Sequence, residues 1–356
     1  MRTVLGMTLM LIAPAALTAA AALATAPLAV RAVLKHRRAA EARITSPAGI
    51  VEGRYVTIGG VEQWLQIRGE DRANPVLLVV HGGPGSPYSV FTAALREWEK
   101  HFTVVHWDRR GCGRTLRRSG PESGTFEQLV ADGIEVAEHV RAHLGKDKVI
   151  LMAGSMGTIV GLPMARQRPD LFSAYVGTDF YVNMLDNERQ GRADTLQRLR
   201  EAGNQRGVAA LEQLDADPRT WDVKAWGRRM QWSMGTDPSN PNGGLKKLFS
   251  LLLTKPDYSL LDVVAWLKGF AAVRDGMFEQ FMRWDARADG TRLEIPFHLF
   301  QGAQDVVTLT GPAVDYFAEV DAPAKSLVLI DGASHFAAFT HPKEFLAALR
   351  TVDANA

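Results

Sequence analysis

The sequence predicts an α/β protein with a mostly parallel β-sheet, helices on both faces of the sheet and an inserted helical cap. Two observations predict this class: short apolar runs alternate with helical segments from about residue 50 to residue 179, and strand-like runs then stop until residue 293. The chain has 356 residues, of which 46% are hydrophobic and 22% are charged. This composition is typical of a globular protein and argues against a disordered or collagen-like chain.

The first part of the sheet is predicted from apolar runs and the turns between them. Gly59-Gly60 separates the first two runs, as in a hairpin, and Val76–Val80 is wholly apolar, as in a strand buried on both faces. The strand-like runs are Arg54–Ile58, Val61–Ile67, Val76–Val80, Thr103–Trp107, Lys148–Ala153 and Ser173–Thr178. Helices are expected at Phe91–Lys100, Thr125–Leu144 and Met156–Gln167, and Thr125 with Gln128 fits a capping box.

The remainder of the chain predicts an insertion into the sheet. Residues 180–292 indicate helices interrupted by Pro, Asn and Gly, after which strands are expected at Pro296–Gln301 and Ser326–Ile330 and a last helix at Pro342–Arg350. Four segments are therefore predicted. They are a hydrophobic amino-terminal segment with a basic flank over 1–43, a first part of the core over 44–179, a helical cap insertion over 180–292 and a second part of the core over 293–356.

The amino terminus holds 28 consecutive uncharged residues, Thr3–Val30, which is long enough to cross a bilayer as a helix. We expect a single-span membrane anchor of uncertain orientation, because the run exceeds the usual apolar region of a signal peptide and basic residues follow it closely. The alternative is a signal peptide, whose cleavage would leave a secreted or periplasmic protein.

The charge distribution and the cysteine content exclude other classes. Residues 1–43 contain six Lys or Arg and one acidic residue, so the mildly acidic body offers no basic patch for a nucleic-acid partner. The single cysteine, Cys112, excludes an internal disulfide framework and a multi-cysteine metal site. We expect no metal and no other cofactor.

Ser155 is the candidate nucleophile. It lies in Ala153-Gly154-Ser155-Met156-Gly157, between a predicted buried strand and a predicted helix. This pattern is typical of a nucleophile elbow, in which a sharp turn exposes the serine hydroxyl above the sheet. Ala153 stands where the motif usually has its first glycine.

A glycine-rich loop, His81-Gly82-Gly83-Pro84-Gly85, follows the strand predicted at Val76–Val80. An acyl-transfer site needs two N–H donors aimed at the developing oxyanion. We expect these donors to be the backbone N–H groups of Gly83 and Met156, because both loops follow buried strands at one edge of the sheet.

A serine nucleophile needs a base and an acid that orients the base. His335 follows the last predicted strand, and Asp305 follows the strand predicted at Pro296–Gln301. The order Ser155, Asp305, His335 is the order of an α/β-hydrolase triad. Asp179, just after the strand at Ser173–Thr178, is the reserve candidate for the acid.

Three motifs together resemble the proline iminopeptidase family of α/β-hydrolases, over about residues 50–350. They are His81-Gly-Gly-Pro-Gly85, Asp108-Arg-Arg-Gly-Cys-Gly-Arg-Thr115 and Gly154-Ser-Met-Gly157. In the second motif Arg109 replaces the family's Gln and Thr115 replaces its Ser. The resemblance implies removal of an amino-terminal residue, typically proline, from small peptides without a metal. It also implies that acidic cap residues bind the substrate amine, and Glu188 is our candidate for this contact.

The sequence therefore predicts a serine hydrolase, most specifically an aminopeptidase that acts on amino-terminal proline or a similar residue. An esterase, lactonase or amidase acting on small acyl substrates is the enzymatic alternative. An acidic pocket in the cap would favour the peptidase, and a wholly apolar cap would favour the esterase. A non-catalytic, membrane-tethered binding protein is the further alternative.

Overall fold

A computed structural model describes residues 26–239 and 244–352 of the chain, without the side chains of 244–248. Most of the predicted membrane segment, residues 3–25, lies outside the described residues. Within those residues, no helix combines the length and the apolar character that crossing a bilayer requires. The described chain begins in a helix, α1, over 26–41.

The centre of the described structure is an eight-stranded sheet with the order β1-β2-β4-β3-β5-β6-β7-β8. β1 pairs antiparallel with β2 and β2 with β4, whereas the strands from β4 to β8 pair in parallel. The predicted α/β class and mostly parallel sheet are confirmed. The strands are β1 Ile50–Ile58, β2 Val61–Gly69, β3 Val76–Val80, β4 Thr103–Asp108, β5 Val149–Gly154, β6 Phe172–Thr178, β7 Phe297–Gly302 and β8 Lys325–Ile330.

Every residue of β3, β4, β5 and β6 is buried, because helices cover both faces of the sheet. The helices after α1 are α2 Gly113–Ser119, α3 Phe126–Leu144, α4 Thr158–Gln167, α5 Met184–Glu201, α6 Gln205–Glu212, α7 Val223–Gly235, α8 Gly244–Leu253, α9 Leu260–Met282, α10 Thr310–Glu319, α11 Ala337–Thr340 and α12 Pro342–Leu349. Large apolar side chains fill two layers, one on each side of the sheet.

The helix predicted at Phe91–Lys100 is wrong. Two 3-10 turns, Tyr88–Phe91 and Arg96–Lys100, occupy this region instead. Trp98, in the second turn, is buried and stacks on Phe345 of α12 at 5.4 Å between ring centroids. Tertiary packing of the aromatic rings therefore outweighs the local helical pattern.

Helices α5 to α9 lie between β6 and β7 in the chain, where the sequence predicts the inserted cap. Thr125 caps α3 by accepting a hydrogen bond from the backbone N–H of Gln128, which is one of the two bonds of the predicted capping box. The cap as a separate domain, with boundaries at 180 and 292, stays a prediction. The insertion matters for function because it begins at the carboxyl ends of the strands.

Candidate active site

The sharp turn after β5 holds Ser155 in a strained position. Ser155 has φ +54°, in the left-handed region that non-glycine residues rarely adopt, and its neighbours Gly154 and Gly157 leave room for the turn. Ala153 is accommodated because α4 has a glycine opposite it: a Cβ on Gly161 would lie 2.5 Å from the Ala153 methyl carbon. The departure from the usual elbow motif is therefore compensated within the next helix.

A chain of hydrogen bonds links the three predicted catalytic side chains. The Ser155 hydroxyl lies 3.1 Å from Nε2 of His335, and Nδ1 of His335 lies 3.0 Å from Oδ2 of Asp305. Ser155, Asp305 and His335 are all buried. The structure thus brings together three residues that follow β5, β7 and β8. The first and the last of them, Ser155 and His335, are 180 positions apart in the sequence.

Asp305 is held rigidly by its own loop. Its Oδ1 accepts the backbone N–H groups of Val307 and Thr308, at 2.8 and 3.0 Å. Its Oδ2 accepts the Thr308 hydroxyl at 2.6 Å and the Gln301 amide at 3.1 Å. These four hydrogen bonds fix the position of the carboxylate, so that it can orient the imidazole of His335.

Asp179 is a second carboxylate beside the same histidine. It directly follows β6 with φ +48°, and its Oδ1 lies 4.0 Å from Nδ1 of His335. Burial, together with the charge of Asp305, raises the pKa of Asp179 to about 7, although His335 opposes this shift. The reserve acid is therefore close to the site, but Asp305 makes the shorter bond.

The pKa of His335 is raised to about 8. Burial by itself would lower this pKa, but the charges of Asp305 and Asp179 and the hydrogen bond from Nδ1 to Asp305 stabilise the imidazolium more strongly. A histidine with these neighbours can accept a proton from Ser155 and keep it until a leaving group needs it.

The glycine-rich loop lies directly against the nucleophile. A Cβ on Gly82 would lie 2.7 Å from the Ser155 Cβ and 2.6 Å from the Gly154 carbonyl oxygen, so only glycine fits there. Gly83 has φ +57°, and Met156 occupies the 3-10 turn Ser155–Gly157 that leads into α4. The two N–H groups proposed for the oxyanion are therefore on segments that flank Ser155, and their role stays a prediction.

Arg109, for which the motif alone indicates no role, is buried behind this loop. The Arg109 guanidinium lies 3.3 Å from the His81 ring, and its Nη1 has no hydrogen-bond partner among the described residues. Burial, and then the positive charge of Arg109, hold the pKa of His81 well below its usual range. Arg109 stands at the position where the resembled family has glutamine, and its motif neighbour Asp108 accepts bonds from Ser89 and the Arg114 N–H.

The comparisons with known proteins agree with this geometry. The profile of the family described as the α/β hydrolase fold matches residues 75–342. This chain belongs to the α/β hydrolase fold family. A probable aminopeptidase of Bacillus subtilis, YbaC, is 29% identical over 300 residues, which cover 82% of this chain and 93% of the relative.

Two solved structures show the same fold. A proline iminopeptidase-related protein of Thermus thermophilus has a TM-score of 0.60 and 21% identity, and covers 85% of this hydrolase chain and 97% of its own. A bacterial membrane phospholipase A has a TM-score of 0.59 and 18% identity, and the match covers 99% of this chain and 98% of the phospholipase. The resemblance to proline iminopeptidases is confirmed, and at these identities the structural likeness concerns the fold alone.

Glu188 does not face an open cavity in this hydrolase. Its side chain is fully buried on α5, and both carboxylate oxygens bind the guanidinium of Arg229 on α7. The neighbouring Asn187 donates to the Val307 carbonyl and accepts the Leu309 N–H, at 2.8 and 3.0 Å. This geometry gives Glu188 a structural role at the junction of the cap and the acid loop, and does not support its predicted contact with a substrate amine.

An apolar cavity of about 510 Å³ lies beside the catalytic groups. It is lined by Gly83 of the glycine-rich loop and by Phe336, the residue that follows His335. Its other lining residues are Ser86, Tyr88, Phe91, Phe249, Leu252, Trp266, Leu267 and Phe270. No carboxylate is among these residues, so this cavity suits an apolar substrate group.

Proposed function

We propose that this protein is a serine hydrolase that releases an amino-terminal residue, proline or a similar one, from small peptides. The observation that carries the proposal is the hydrogen-bond chain from Ser155 through His335 to Asp305. The family membership supports the hydrolase, and the similarity to a probable aminopeptidase supports the choice of substrate.

In the proposed mechanism, the Ser155 oxygen attacks the substrate carbonyl carbon while its proton moves to Nε2 of His335. The N–H groups of Gly83 and Met156 stabilise the negative charge on the former carbonyl oxygen. Collapse of this intermediate breaks the C–N bond, and His335 gives its proton to the leaving amine. Water then attacks the acyl-enzyme with His335 again as base, and Ser155 regains its proton. Asp305 holds the imidazolium throughout.

Hydrolysis of a small acyl ester is the second candidate, and the cavity lining favours it. Among the described residues that line the cavity beside Gly83 and Phe336, none has an acidic side chain to bind a free amine. The same Ser155, Asp305 and His335 would serve this reaction, because an ester carbonyl needs the same nucleophile and oxyanion donors.

Four assays distinguish the two candidates. Purified enzyme is incubated with prolyl-naphthylamide, alanyl-naphthylamide, N-acetyl-prolyl-naphthylamide and a p-nitrophenyl butyrate ester. Cleavage of the free prolyl amide, lost when the amine is blocked, supports the peptidase. Turnover of the ester alone rejects the peptidase and supports the esterase.

The Ser155→Ala variant shows whether either activity belongs to this site. We expect it to lose at least about a thousandfold in kcat on any accepted substrate, because the nucleophile is removed. Ser119→Ala, which changes an exposed serine outside the site, is the matched control and should keep full activity. Equal activity of wild type and Ser155→Ala would reject the proposed site.

We also propose that the uncharged segment 3–30 anchors the chain in a membrane as a single span, with signal cleavage as the alternative. The length of the uncharged run supports this. Alkaline carbonate extraction of expressing cells should leave the full chain with the membranes and release a chain that starts at residue 26. The mass of the mature protein distinguishes an anchor, which is retained, from a cleaved signal peptide.

A further inference from the structure

Helix α9 carries large apolar side chains on a side that faces solvent. Leu260, Leu261, Val264 and Leu267 are spaced to lie on one side of the helix, and their exposed fractions range from 44% to 65%. Phe249 of α8 adds a further exposed ring at 46%. Single exposed apolar residues are ordinary on a soluble protein, but several on one surface mark an interaction site.

The helix α1 is attached beside this surface. The Arg31 side chain donates to the Leu253 and Tyr258 carbonyl oxygens, both at 2.8 Å. Lys35 donates to the same Tyr258 oxygen at 2.8 Å. Tyr258 directly precedes Ser259, which caps α9, so these bonds place the middle of α1 against the amino end of α9.

Helix α1 also exposes apolar residues of its own. Leu28, Val30 and Val33 are each more than half exposed. We name the apolar face as Val30 and Val33, which are three positions apart on α1, together with Phe249, Leu260, Leu261, Val264 and Leu267. Leu28 lies on another side of α1. Two helices that are joined by hydrogen bonds thus present apolar groups to the outside of the molecule.

The segment that precedes α1 in the chain indicates which partner covers the apolar face. Residues 3–25 carry no charge and lead directly into α1 at residue 26, so the most apolar segment of the sequence reaches the molecule beside this face. The exposed side chains Arg37, Arg43 and Lys268 lie along the same two helices or just after them. Exposed basic groups next to apolar ones match the anionic headgroups and acyl chains of a lipid surface.

The apolar face also borders the cavity beside the active site. Phe249 and Leu267 belong to both, since they are exposed and also line the cavity that reaches Gly83 and Phe336. A molecule leaving a lipid surface at this point would pass mainly apolar groups before it met the catalytic residues.

We propose that the apolar face rests on a lipid bilayer and that the cavity receives substrates with an apolar group from that bilayer. The docking does not depend on the proposed hydrolase function. The part on substrate entry does rest on it, and the two parts are therefore tested separately.

The first experiment measures docking without any catalysis. The full-length chain with Leu261→Cys is labelled with a polarity-sensitive fluorophore, since the native Cys112 is buried. The protein is reconstituted into phosphatidylcholine and phosphatidylglycerol vesicles that contain lipids with nitroxide-labelled acyl chains. Lys148→Cys is the control. This exposed position lies just before β5, at the amino ends of the parallel strands.

Docking predicts that the label at 261 shifts to shorter wavelength and is quenched by the nitroxide lipids, whereas the label at 148 is unaffected. A label at 261 without quenching in vesicles overturns the proposal. A blue shift at 261 that occurs in vesicles without quenching would mean that residues 1–25 or a second copy of the chain covers the face. Dilution would separate these two, since only a second copy dissociates.

The second experiment tests substrate entry with the double variant Leu261→Asp/Val264→Asp. We expect about tenfold slower hydrolysis of a long-chain acyl ester presented in vesicles, because two charges weaken the docking, and an unchanged rate on soluble p-nitrophenyl butyrate. Leu329→Asp, which changes an exposed apolar residue of β8, is the matched control and should leave both rates unchanged. Equal loss on both substrates, or none on either, overturns the entry route. If wild type hydrolyses neither ester, the esterase candidate has failed, and the fluorescence result stands on its own.

Discussion

At the scale of single residues, the active site depends on two strained turns at the ends of neighbouring strands. Ser155 after β5 and Asp179 after β6 both adopt the left-handed backbone conformation, with φ values of +54° and +48°. Such conformations cost roughly 1–3 kcal/mol each and persist where surrounding structure holds them. They place a hydroxyl and a carboxylate next to the same imidazole.

This arrangement predicts the pH dependence of the enzyme. His335 must be neutral to accept the Ser155 proton, and its raised pKa means that kcat/KM rises with pH to a plateau with a midpoint near 8. Asp179→Asn removes a negative charge that stabilises the imidazolium, so it lowers the pKa of His335 and moves the midpoint to lower pH. Glu97→Gln, an exposed change outside the site, should leave the profile in place. A profile unchanged in Asp179→Asn would show that Asp179 does not act on His335.

The acid itself gives a second prediction. Asp305→Asn should reduce kcat by about 10⁴-fold, because the amide no longer stabilises the imidazolium or selects the required tautomer. Steady-state kinetics on the accepted substrate measures this loss. A larger loss in Asp179→Asn than in Asp305→Asn would exchange the roles of the two carboxylates.

A site residue could be predicted from the sequence where a suitable residue type directly follows a strand. It could not be predicted where its role depends on a partner that is distant in the chain. Ser155, Asp305 and His335 each follow a recognisable strand, so topology alone brings them together. The environment of Glu188 depends on Arg229, which is 41 residues away, and no local pattern indicates that they pair. The burial of a charge is a property of tertiary packing, which a motif does not show.

At the scale of secondary structure, helix α5 joins the inserted helices to the loop of Asp305. Asn187 binds the loop of Asp305 by two hydrogen bonds, and Glu188 pairs with Arg229 of α7 directly beside it. Arg229 also lies 3.4 Å from the Val306 carbonyl oxygen. The inserted helices α5 and α7 therefore support the loop that holds Asp305.

The buried pair predicts a specific pattern of stability. Arg229→Met leaves the Glu188 carboxylate buried without its partner and should lower the free energy of unfolding by about 3–5 kcal/mol. The double variant Glu188→Leu/Arg229→Met, which removes both charges, should regain a large part of this loss. Urea unfolding followed by circular dichroism measures both. Equal destabilisation of the single and double variants would contradict the role of the unpaired charge.

Secondary structure was predictable where the pattern is long and regular, as in α3 and the buried strands. The prediction of a helix at Phe91–Lys100 is wrong, because this segment forms two short 3-10 turns. In the second turn, Trp98 packs against Phe345 of α12. The short helix α2 was missed since its sequence, Gly113–Ser119, is basic and has little apolar periodicity.

At the scale of the whole molecule, α1 contains the last residues of the uncharged segment and is also attached to the rest of the described structure. Arg31, Lys35 and Arg38 bind carbonyl oxygens at the end of α8 and just before α9. The sequence predicts an anchor or signal segment with a basic flank over 1–43. The attachment of this flank could not be predicted, because its partners are more than 200 residues away.

This attachment predicts a difference between two truncations. A chain that starts at residue 44 loses these hydrogen bonds and should be about 2 kcal/mol less stable than one that starts at residue 26, which lowers its Tm by roughly 4 °C. Differential scanning calorimetry of both chains in one detergent buffer measures this. The same Tm for both chains would show that α1 adds nothing to the stability of the body.

The most direct test of the central claim is covalent labelling of the full chain with a fluorophosphonate, followed by peptide mass spectrometry. Activation of Ser155 by His335 predicts a single phosphonyl group on Ser155 and almost none in His335→Ala. A label on another residue, or equal labelling of Ser155 in the His335→Ala variant, would contradict the assignment of this protein as a triad-dependent serine hydrolase.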